Sequence, residues 1–385
     1  MKITARELNR ATLGRQLLVR REPLDVVEAL GRVVALQAQH PASPYLALWN
    51  RIDGFAPAEL DAAFADGRIL KATLMRITLH AVRADDYRVL RRAMRPTLYA
   101  ARLGNRFAAA GLTPADAEEL VPPLLSFADQ PHTNGQMEVW LGERLGAERQ
   151  AGAWWGLRAY APLVHAVTGG PWSFGPRPSF VAAHPPEEPR TGPGGREADT
   201  EALETLVVRY LAGFGPASVA DVAQFATVQR APVRTALRVL EAAGAVEQLQ
   251  GPDGTALFDL PDAPRPPADT PAPPRLMAMW DSVLLAYADR SRLIPPDYRR
   301  LVIRNNGDVL PTLLVDGHVA GVWRPVENGI EATAFHELSA GAWEGLAEEA
   351  RALTGLLADR EPRVYRRYDH WWPRLPEGVT RVLPG

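Results

Sequence analysis

The sequence predicts an α+β fold of tandem winged-helix domains followed by a C-terminal β-rich domain. Three observations lead to this prediction. The 385 residues, 42.1 kDa, exceed what one compact core normally organises. Groups of amphipathic helices followed by alternating apolar segments recur along the chain. Two stretches rich in Pro, Gly and charge, residues 184–200 and 261–274, are typical of linkers that do not pack.

Four regions follow from these boundaries. We predict an N-terminal winged-helix module with a candidate catalytic loop at 1–110, a second winged-helix module at 111–185, a third at 200–262, and the β-rich domain at 275–385. The first boundary rests on Thr113 and Pro114, because a hydroxyl residue followed by Pro is typical of a helix N-terminus.

The N-terminal module contains four predicted helices and a β-ribbon. The helices cover 7–19, 24–36, 43–52 and 57–66, and the ribbon strands cover 70–76 and 78–83. The next helix carries a stripe of arginines at i, i+3, i+4 and i+7: Arg88, Arg91, Arg92 and Arg95, continued by Arg102 and Arg106. This spacing puts them on one helix face and predicts contact with DNA phosphates, although a solvated surface has the same pattern.

The charge distribution along the chain supports that interpretation of the stripe. Residues 1–110 contain 18 Lys and Arg against 10 Asp and Glu, a balance of +8, although the whole chain carries −2. Lys2 and Lys71 are the only lysines, and the arginine fork suits phosphate oxygens and guanine edges. A GC-rich coding sequence explains the preference for Arg equally well, but it does not explain the clustering.

The third module has the clearest pattern. Helices at 202–212, 219–225 and 231–243 precede a hairpin that turns at 251–254. Arg230, Arg234 and Arg238 recur every four residues on the element that a winged helix places in the major groove. A solvated amphipathic face explains this spacing equally well. The second module repeats the pattern more weakly, with a hairpin at 162–182.

The C-terminal domain begins with an apolar segment, 279–285, followed by a basic loop that contains Arg290 and Arg292. Two alternating segments, 311–315 and 319–323, flank Asp316-Gly317 and predict a hairpin. Trp323 in its second strand is more typical of core packing than of a wedge into DNA.

Composition and missing motifs exclude several classes of protein. The chain has no cysteine, which excludes disulfides, thiolate metal sites, iron-sulfur clusters and cysteine nucleophiles. It has no run of eighteen apolar residues and no secretory signal pattern, so we expect a cytoplasmic, nucleoid-associated protein without membrane contact. Nucleotide-binding, zinc-hydrolase and serine-hydrolase motifs are missing and the eight His are scattered, so we expect neither a metal nor an organic cofactor.

One polar cluster follows an apolar segment directly before Pro41. In Gln37-Ala38-Gln39-His40, an extended backbone would project Gln37 and Gln39 in similar directions, converging on one point. Two surface glutamines at a helix end are the ordinary interpretation of the same residues.

The segment around these glutamines resembles a known enzyme family. VVALQAQHPASPYLALWNRI, ILKATLMRITLHAV, WDSVLLAYADRSRL and DGHVAGVWRP resemble the AlkZ/YcaQ family of winged-helix DNA glycosylases, over nearly the whole chain but poorly in the second module. The resemblance implies a DNA channel and removal of alkylated purines, including interstrand cross-links. It implies catalytic roles for Gln37 and Gln39, which match the Gln-x-Gln branch. It also implies that the hairpin at 316–323 lies against a groove, which adds His318 and Trp323 to the candidate DNA contacts.

The chemistry of two glutamines fits such a reaction. Cleavage of an N-glycosidic bond passes through an oxocarbenium-like sugar and usually needs a general acid or a carboxylate. A purine alkylated at N7 or N3 is already cationic and leaves readily. Two carboxamide oxygens then suffice to hold a water in line with C1′ and to stabilise the developing cation. Because amides are too weak to release undamaged bases, selectivity would follow the lability of the lesion.

We therefore predict a monomeric DNA glycosylase that removes N7-alkylguanine from double-stranded DNA. It should be monofunctional, because Lys71 is the only internal lysine. No aromatic residue occurs between Val33 and Pro44, which favours an open site that admits bulky or cross-linked adducts. The main alternative is a non-catalytic winged-helix transcription regulator with dimer-spaced half-sites, and a weaker one is an RNA-binding or adaptor protein.

Overall fold

The N-terminal region combines five helices with a small antiparallel sheet. A computed structural model describes residues 1–184 and 193–384 of the chain. The elements are α1 Ala5–Arg15, α2 Val26–Val33, β1 Leu36–Gln37, α3 Ser43–Trp49, α4 Pro57–Ala65, β2 Ile69–Thr73, β3 Leu79–Arg83 and α5 Ala84–Arg102. The strand order is β1-β3-β2, so the predicted ribbon gains a third strand. Thr4 and Glu7 form a capping box that begins α1.

The second helix ends three residues earlier than predicted. The residues that follow it, which include Gln37 and Gln39, form the candidate catalytic loop. Val34 has φ 72°, which stops α2 at Val33, and the chain then extends to pair with β3. The apolar run at 33–36 suits a buried strand as well as a helix, so its pattern could not separate the two. The predicted strand at 70–76 likewise ends at Thr73, before a 3₁₀ turn over Met75–Ile77.

The second region has its own hydrophobic core. Its elements are α6 Asn105–Ala109, α7 Pro114–Phe127, β4 His132–Thr133, α8 Asn134–Leu145, α9 Ala147–Tyr160, β5 Leu163–His165 and β6 Ser179–Ala182. The predicted hairpin is present as the β5–β6 pair, and β4 adds a third strand beside β6. Phe107, Trp154 and Phe180 lie in the core that these elements enclose.

The third region matches its predicted elements closely. It contains α10 Pro193–Phe214, α11 Val219–Ala226, α12 Arg230–Ala242 and the hairpin strands β7 Glu247–Gln250 and β8 Ala256–Asp259. Helix α10 takes up the second half of the predicted linker at 184–200, so the linker prediction is wrong from residue 193 onward. Residues 185–192 of that linker lie outside the described residues. The sequence of that half, which begins Pro-Gly-Gly, does not favour a helix, so the packing of α10 against α5 explains the difference.

The second linker, 261–274, has no regular secondary structure, but the prediction that it does not pack is wrong. The carbonyls of Ala268 and Thr270 accept hydrogen bonds from Arg6 Nε at 2.8 Å and Arg10 Nε at 2.7 Å. Arg265 donates to Asp259 on β8 at 2.8 Å. Backbone carbonyls and one arginine therefore fix a segment whose composition alone indicates a flexible chain.

The C-terminal region is built on an antiparallel sheet of five strands in the order β13-β12-β11-β10-β9. Its elements are β9 Arg275–Leu276, α13 Arg299–Val302, β10 Thr312–Val315, β11 His318–Val326, β12 Gly329–Ala334, α14 Ala340–Ala358 and β13 Val379–Pro384. The predicted hairpin at Asp316-Gly317 is confirmed as the β10–β11 pair. The α+β fold with a β-rich C-terminal sheet is thus confirmed.

One hydrophobic core joins the first, third and C-terminal regions, with Leu30, Phe214 and Trp323 among its members. The division of the chain into the four predicted domains stays a prediction. Across 1–184 and 193–384, every helix is too short or too polar to cross a membrane.

A buried ion pair connects the N-terminal region to the C-terminal one inside this core. Arg51, directly after α3, donates to both carboxylate oxygens of Asp281 at 2.8 Å, and neither side chain is exposed. Arg51 Nη1 also donates to the Ala47 carbonyl, and Asp281 accepts from the Val283 backbone. Two charges so far from water are stable only while both remain.

Asp281→Ala is therefore expected to lower the free energy of unfolding by about 3–5 kcal/mol, because it leaves the Arg51 guanidinium buried without its counterion. Chemical denaturation at neutral pH measures the change. The matched control is Asp66→Ala, which removes the partner of exposed Arg68 and should cost no more than about 1 kcal/mol. Similar losses in the two variants would contradict the structural role of the pair.

Candidate active site

Gln37 is the buried member of the predicted glutamine pair. It lies on β1 opposite His80 of β3 and is 4% exposed. Its backbone N–H donates to Ser282 Oγ at 3.0 Å, so a residue from the C-terminal region fixes the strand from outside the sheet. The extended backbone on which the prediction depended covers Leu36–Gln37 but does not reach Gln39, which lies in a bend, so the convergence of the two amides stays a prediction.

Arg76 fixes the side chain of Gln37. Its Nη2 donates to Gln37 Oε1 at 2.6 Å and lies 3.1 Å from His80 Nε2. His80 Nδ1 is 3.0 Å from the Thr78 carbonyl, which can only accept, so Nδ1 carries the proton and Nε2 accepts from Arg76. Complete burial and the charge of Arg76 lower the pKa of His80 well below its usual range, which keeps the imidazole a neutral acceptor.

The backbone that presents Arg76 is strained. Arg76 has φ 54° and ψ 16°, and the next residue, β-branched Ile77, has φ 56°. Left-handed conformations of such residues cost on the order of 1–3 kcal/mol each and persist where the surroundings fix them, often at functional sites. The turn between β2 and β3 therefore holds Arg76 in one position.

Gln39 is exposed at the bend that follows β1. The next residue, His40, packs edge-on against Tyr365 at 4.8 Å between ring centroids. Its Nδ1 accepts from the Ala42 backbone at 3.2 Å. Burial, reinforced by the charges of Arg367 and Lys71, lowers the pKa of His40 to about 4. The Gln37 amide is thus buried and the Gln39 amide exposed, and they are followed in the chain by the neutral imidazole of His40.

Arg76 also lines a wide cleft of about 1650 Å³. The walls come from α5, α10, α11, α12 and the segment that follows Tyr287. Arg230, Arg290 and Arg299 line the same space. Arginines from α12 and from the segment after Tyr287 thus line the cleft together with Arg76, which holds Gln37.

The arginine stripe on α5 is only partly exposed. Arg88 faces solvent, whereas Arg91 is buried and donates to the Tyr160 carbonyl. Arg92 and Arg95 donate to the Asp199 carboxylate at 3.1 and 3.4 Å. Three of the four predicted contact residues therefore join α5 to α9 and α10.

The arginines of the third region are placed differently. Arg230, Arg234 and Arg238 are all exposed on α12, as their spacing requires of a shared outer face.

Of the two arginines in the basic loop of the C-terminal region, Arg290 lines the cleft. Arg292 turns inward, with its guanidinium 3.9 Å from the Tyr287 ring and a hydrogen bond to the Pro216 carbonyl at 3.0 Å.

The tip of the β10–β11 hairpin is held against α1, and the expectation that this hairpin lies against a DNA groove stays a prediction. Asp316 at its tip forms ion pairs with Arg6 and Arg10, and Gly317 accepts from Asn9 Nδ2 at 2.8 Å. His318 is half-buried beside that tip. Trp323 is fully buried and donates from Nε1 to the Met277 carbonyl at 2.9 Å, so it has no surface with which to contact DNA in this conformation.

Two candidate elements escaped the sequence analysis. One is Arg76, which had no signal beyond its position near a predicted strand end. The other is the 3₁₀ segment Arg366–Arg374, whose Tyr368 lies 6.2 Å from the His40 ring and whose Arg366, Arg367 and Arg374 are exposed. Its sequence, RRYDHWWPR, alternates basic and aromatic residues, a pattern that indicates nucleic-acid contact.

Titratable ligands do not gather anywhere in the described chain. Within residues 1–184 and 193–384, no group of three or more His, Asp or Glu side chains could hold a metal ion.

The sequence and the fold define the class of protein. A family model described as DNA glycosylase AlkZ-like matches residues 30–356. The chain therefore belongs to the AlkZ-like family of DNA glycosylases, which favours the enzyme over the transcription regulator. It is also similar to the solved structure of the Streptomyces sahachiroi DNA glycosylase AlkZ, with a TM-score of 0.76 and 19% identity over 92% of this chain and 96% of that one. Among curated protein sequences there is no match.

His40 should make the fold sensitive to acid. The folded imidazole has a pKa of about 4 against 6.5 for a free imidazole, so between these pH values the unfolded chain binds a proton that the folded protein does not. Stability therefore falls as the pH is lowered through this range. His40→Gln should reduce the slope of unfolding free energy against pH by up to about 1.4 kcal/mol per pH unit.

Chemical denaturation at several pH values between these limits measures that slope. The control His370→Gln makes the same chemical change at an exposed imidazole and should keep the wild-type slope. If His40→Gln and wild type share one slope, the buried neutral state of His40 is wrong.

Proposed function

We propose that this DNA glycosylase removes purines alkylated at N7 or N3, with N7-alkylguanine in double-stranded DNA as the representative substrate. Gln37 and Gln39 would direct a water at C1′ and stabilise the sugar cation. One observation carries the proposal: Gln37 accepts a hydrogen bond from Arg76, which lines a wide basic cleft, so a neutral amide is fixed directly behind the wall of that cleft. Preorganised dipoles of this kind stabilise charge as it develops.

The surroundings of Gln37 favour a substrate that leaves easily. Its side chain accepts from Arg76 and its backbone N–H donates to Ser282 Oγ, and no carboxylate among the described residues is bonded to it. The negative charge of a DNA phosphate would offset that of Arg76 and so reduce its repulsion of the cationic substrate. A site with this composition lacks the strong acid that a neutral base requires, which supports restriction to cationic lesions.

Lys71 is placed unfavourably for covalent catalysis. Across the sheet, Lys71 pairs with Ala81, which pairs in turn with Leu36. Gln37 belongs to the neighbouring row, in which it pairs with His80 and His80 pairs with Ala72. Successive residues of a strand point to opposite faces, so Lys71 projects from the face away from Gln37. Its ammonium lies 4.4 Å from the Phe174 ring centroid and the residue is 5% exposed. These facts support a monofunctional reaction in which water is the nucleophile.

The width of the cleft and the exposure of Gln39 support action on bulky adducts as well. A closed pocket limits the size of an extruded base. Here the exposed amide lies on a bend at the surface, beside the basic 3₁₀ segment. Interstrand cross-links are therefore included in the proposed substrates.

Gln37→Ala should slow excision of N7-methylguanine from duplex DNA about a hundredfold, and Gln39→Ala at least about tenfold, because each removes a preorganised carbonyl. Single-turnover assays with alkali cleavage of abasic sites measure the rate. DNA affinity should change little in either variant. Gln39→Ala should keep the wild-type thermal unfolding, whereas Gln37→Ala should be less stable because Arg76 Nη2 loses a buried acceptor. The control Gln130→Ala removes an exposed amide in the second region and should keep the wild-type rate.

Equal losses of rate and affinity would identify the glutamines as contact residues and reject their catalytic role. The same variants assayed on a nitrogen-mustard interstrand cross-link extend the test to bulky substrates. Activity confined to the methyl lesion would reject the open site.

Lys71→Met should excise N7-methylguanine at close to the wild-type rate, because the ammonium does not reach the reacting sugar. Borohydride added during turnover should trap no protein–DNA adduct, since a Schiff base requires an amine nucleophile. A covalent adduct that disappears in Lys71→Met would make the enzyme bifunctional and contradict this part of the proposal.

A further inference from the structure

We propose that Arg76 is a positioning residue that couples a phosphodiester of bound DNA to the carboxamide of Gln37. The proposal rests on the proposed catalytic role of Gln37. It adds a site for one backbone phosphate beside the catalytic loop, and it assigns to Arg76 the function of linking DNA binding to the orientation of the catalytic amide.

The two terminal nitrogens of Arg76 differ in their hydrogen bonds. Nη2 serves Gln37 Oε1 and His80 Nε2. Nη1 is buried and has no hydrogen-bond partner among the described residues, although Arg76 lines the cleft. A buried charged donor without an acceptor is costly, and such groups are normally satisfied. An acceptor that enters from the cleft would complete the guanidinium.

The charges around Nη1 indicate that this acceptor is an anion. Arg290 and Arg299 line the cleft with Arg76, and Nε of Arg290 is also buried without a partner. Among the residues described, none of these three arginines forms an ion pair with a carboxylate. Burial and then the charge of Arg290 lower the pKa of Arg76 to about 10, as expected for cations that gather without a counterion.

Among the described residues that line the cleft, the one carboxylate is engaged elsewhere. Asp199 also lines the cleft, but its Oδ1 accepts from Arg92 and Arg95 on α5. The substrate of a DNA glycosylase brings the missing anion, because each nucleotide carries one phosphodiester charge. Arginine is suited to this contact, since its planar fork can bind a phosphate with one edge while another nitrogen keeps a separate bond.

The rigidity of the turn makes the coupling effective. Arg76 and Ile77 have positive φ values, and the hydrogen bond from His80 Nδ1 to the Thr78 carbonyl fixes the second acceptor of Nη2. A phosphate bound at Nη1 would therefore hold the guanidinium plane from the cleft side. The Gln37 amide would be oriented most firmly when DNA is in place.

The first test is a double-mutant cycle on duplex DNA with a single N7-methylguanine, under single-turnover conditions with enzyme in excess. Arg76→Gln should slow excision about tenfold to a hundredfold, as expected for loss of a charge-assisted hydrogen bond. In the Gln37→Ala background, Arg76→Gln should cause little further loss, because the two residues act as one unit. The control Arg68→Gln removes an exposed arginine outside the cleft and should keep the wild-type rate.

The outcomes separate this inference from the proposed function. A wild-type rate in Gln37→Ala would reject the catalytic role of Gln37 itself. A slow Gln37→Ala with an unaffected Arg76→Gln would reject the coupling alone. The coupling is also wrong if Arg76→Gln causes the same fold loss in both backgrounds, because Arg76 then acts independently of Gln37.

The second test needs only folded wild-type protein, so it holds even where Arg76→Gln is unstable. Phosphates around the lesion are replaced one at a time by uncharged methylphosphonates. We expect one position at which the wild-type excision rate at saturating enzyme falls about tenfold or more. Where Arg76→Gln folds, it should be insensitive to that replacement. A scan in which no single phosphate changes the saturated rate would overturn the proposed site.

Discussion

The bidentate ion pair between Arg51 and Asp281 is the constraint on which the position of the candidate catalytic loop depends. It is fully buried and joins the end of α3 to the segment after β9. The residue after Asp281 is Ser282, whose hydroxyl accepts the backbone N–H of Gln37. The buried Arg51–Asp281 pair therefore fixes the position of Ser282, and Ser282 in turn fixes the backbone of Gln37. This explains how a motif near the N-terminus comes to depend on residues more than two hundred positions later.

Gln37 is consequently held from two independent directions. Ser282 fixes its backbone, and Arg76 fixes its side chain. An amide carries no net charge, so its effect on a sugar cation depends on the direction of its dipole rather than on attraction at a distance. The strained turn at Arg76 and the neutral, buried His80 serve the same end, because both limit the positions open to the guanidinium. In the proposed reaction, a precisely oriented Gln37 amide takes the place of a strong acid.

The sequence was sufficient for most elements but not for their surroundings. Periodicity and turn residues located the helices of the third region and the hairpin at Asp316-Gly317. They could not locate β1, because an apolar run becomes a strand only through pairing with β3. The spacing of the α5 arginines defined one helix face, but it contained no information on what covers that face. Tyr160 and Asp199, which accept from Arg91 and Arg92, are 69 and 107 residues away along the chain.

The partners of the arginines separate those that build the fold from those available to DNA. Arg15, Arg51 and the stripe residue Arg92 each contact a carboxylate of this chain, and two of these pairs are completely buried. Within the described ranges, Arg76, Arg290 and Arg299 have no such partner, although they lie together along one cleft. Composition counts both kinds alike, which is why a net charge of −2 says nothing about DNA binding. A cluster of cations for which the chain supplies no carboxylate is the kind of surface that attracts a polyanion such as DNA.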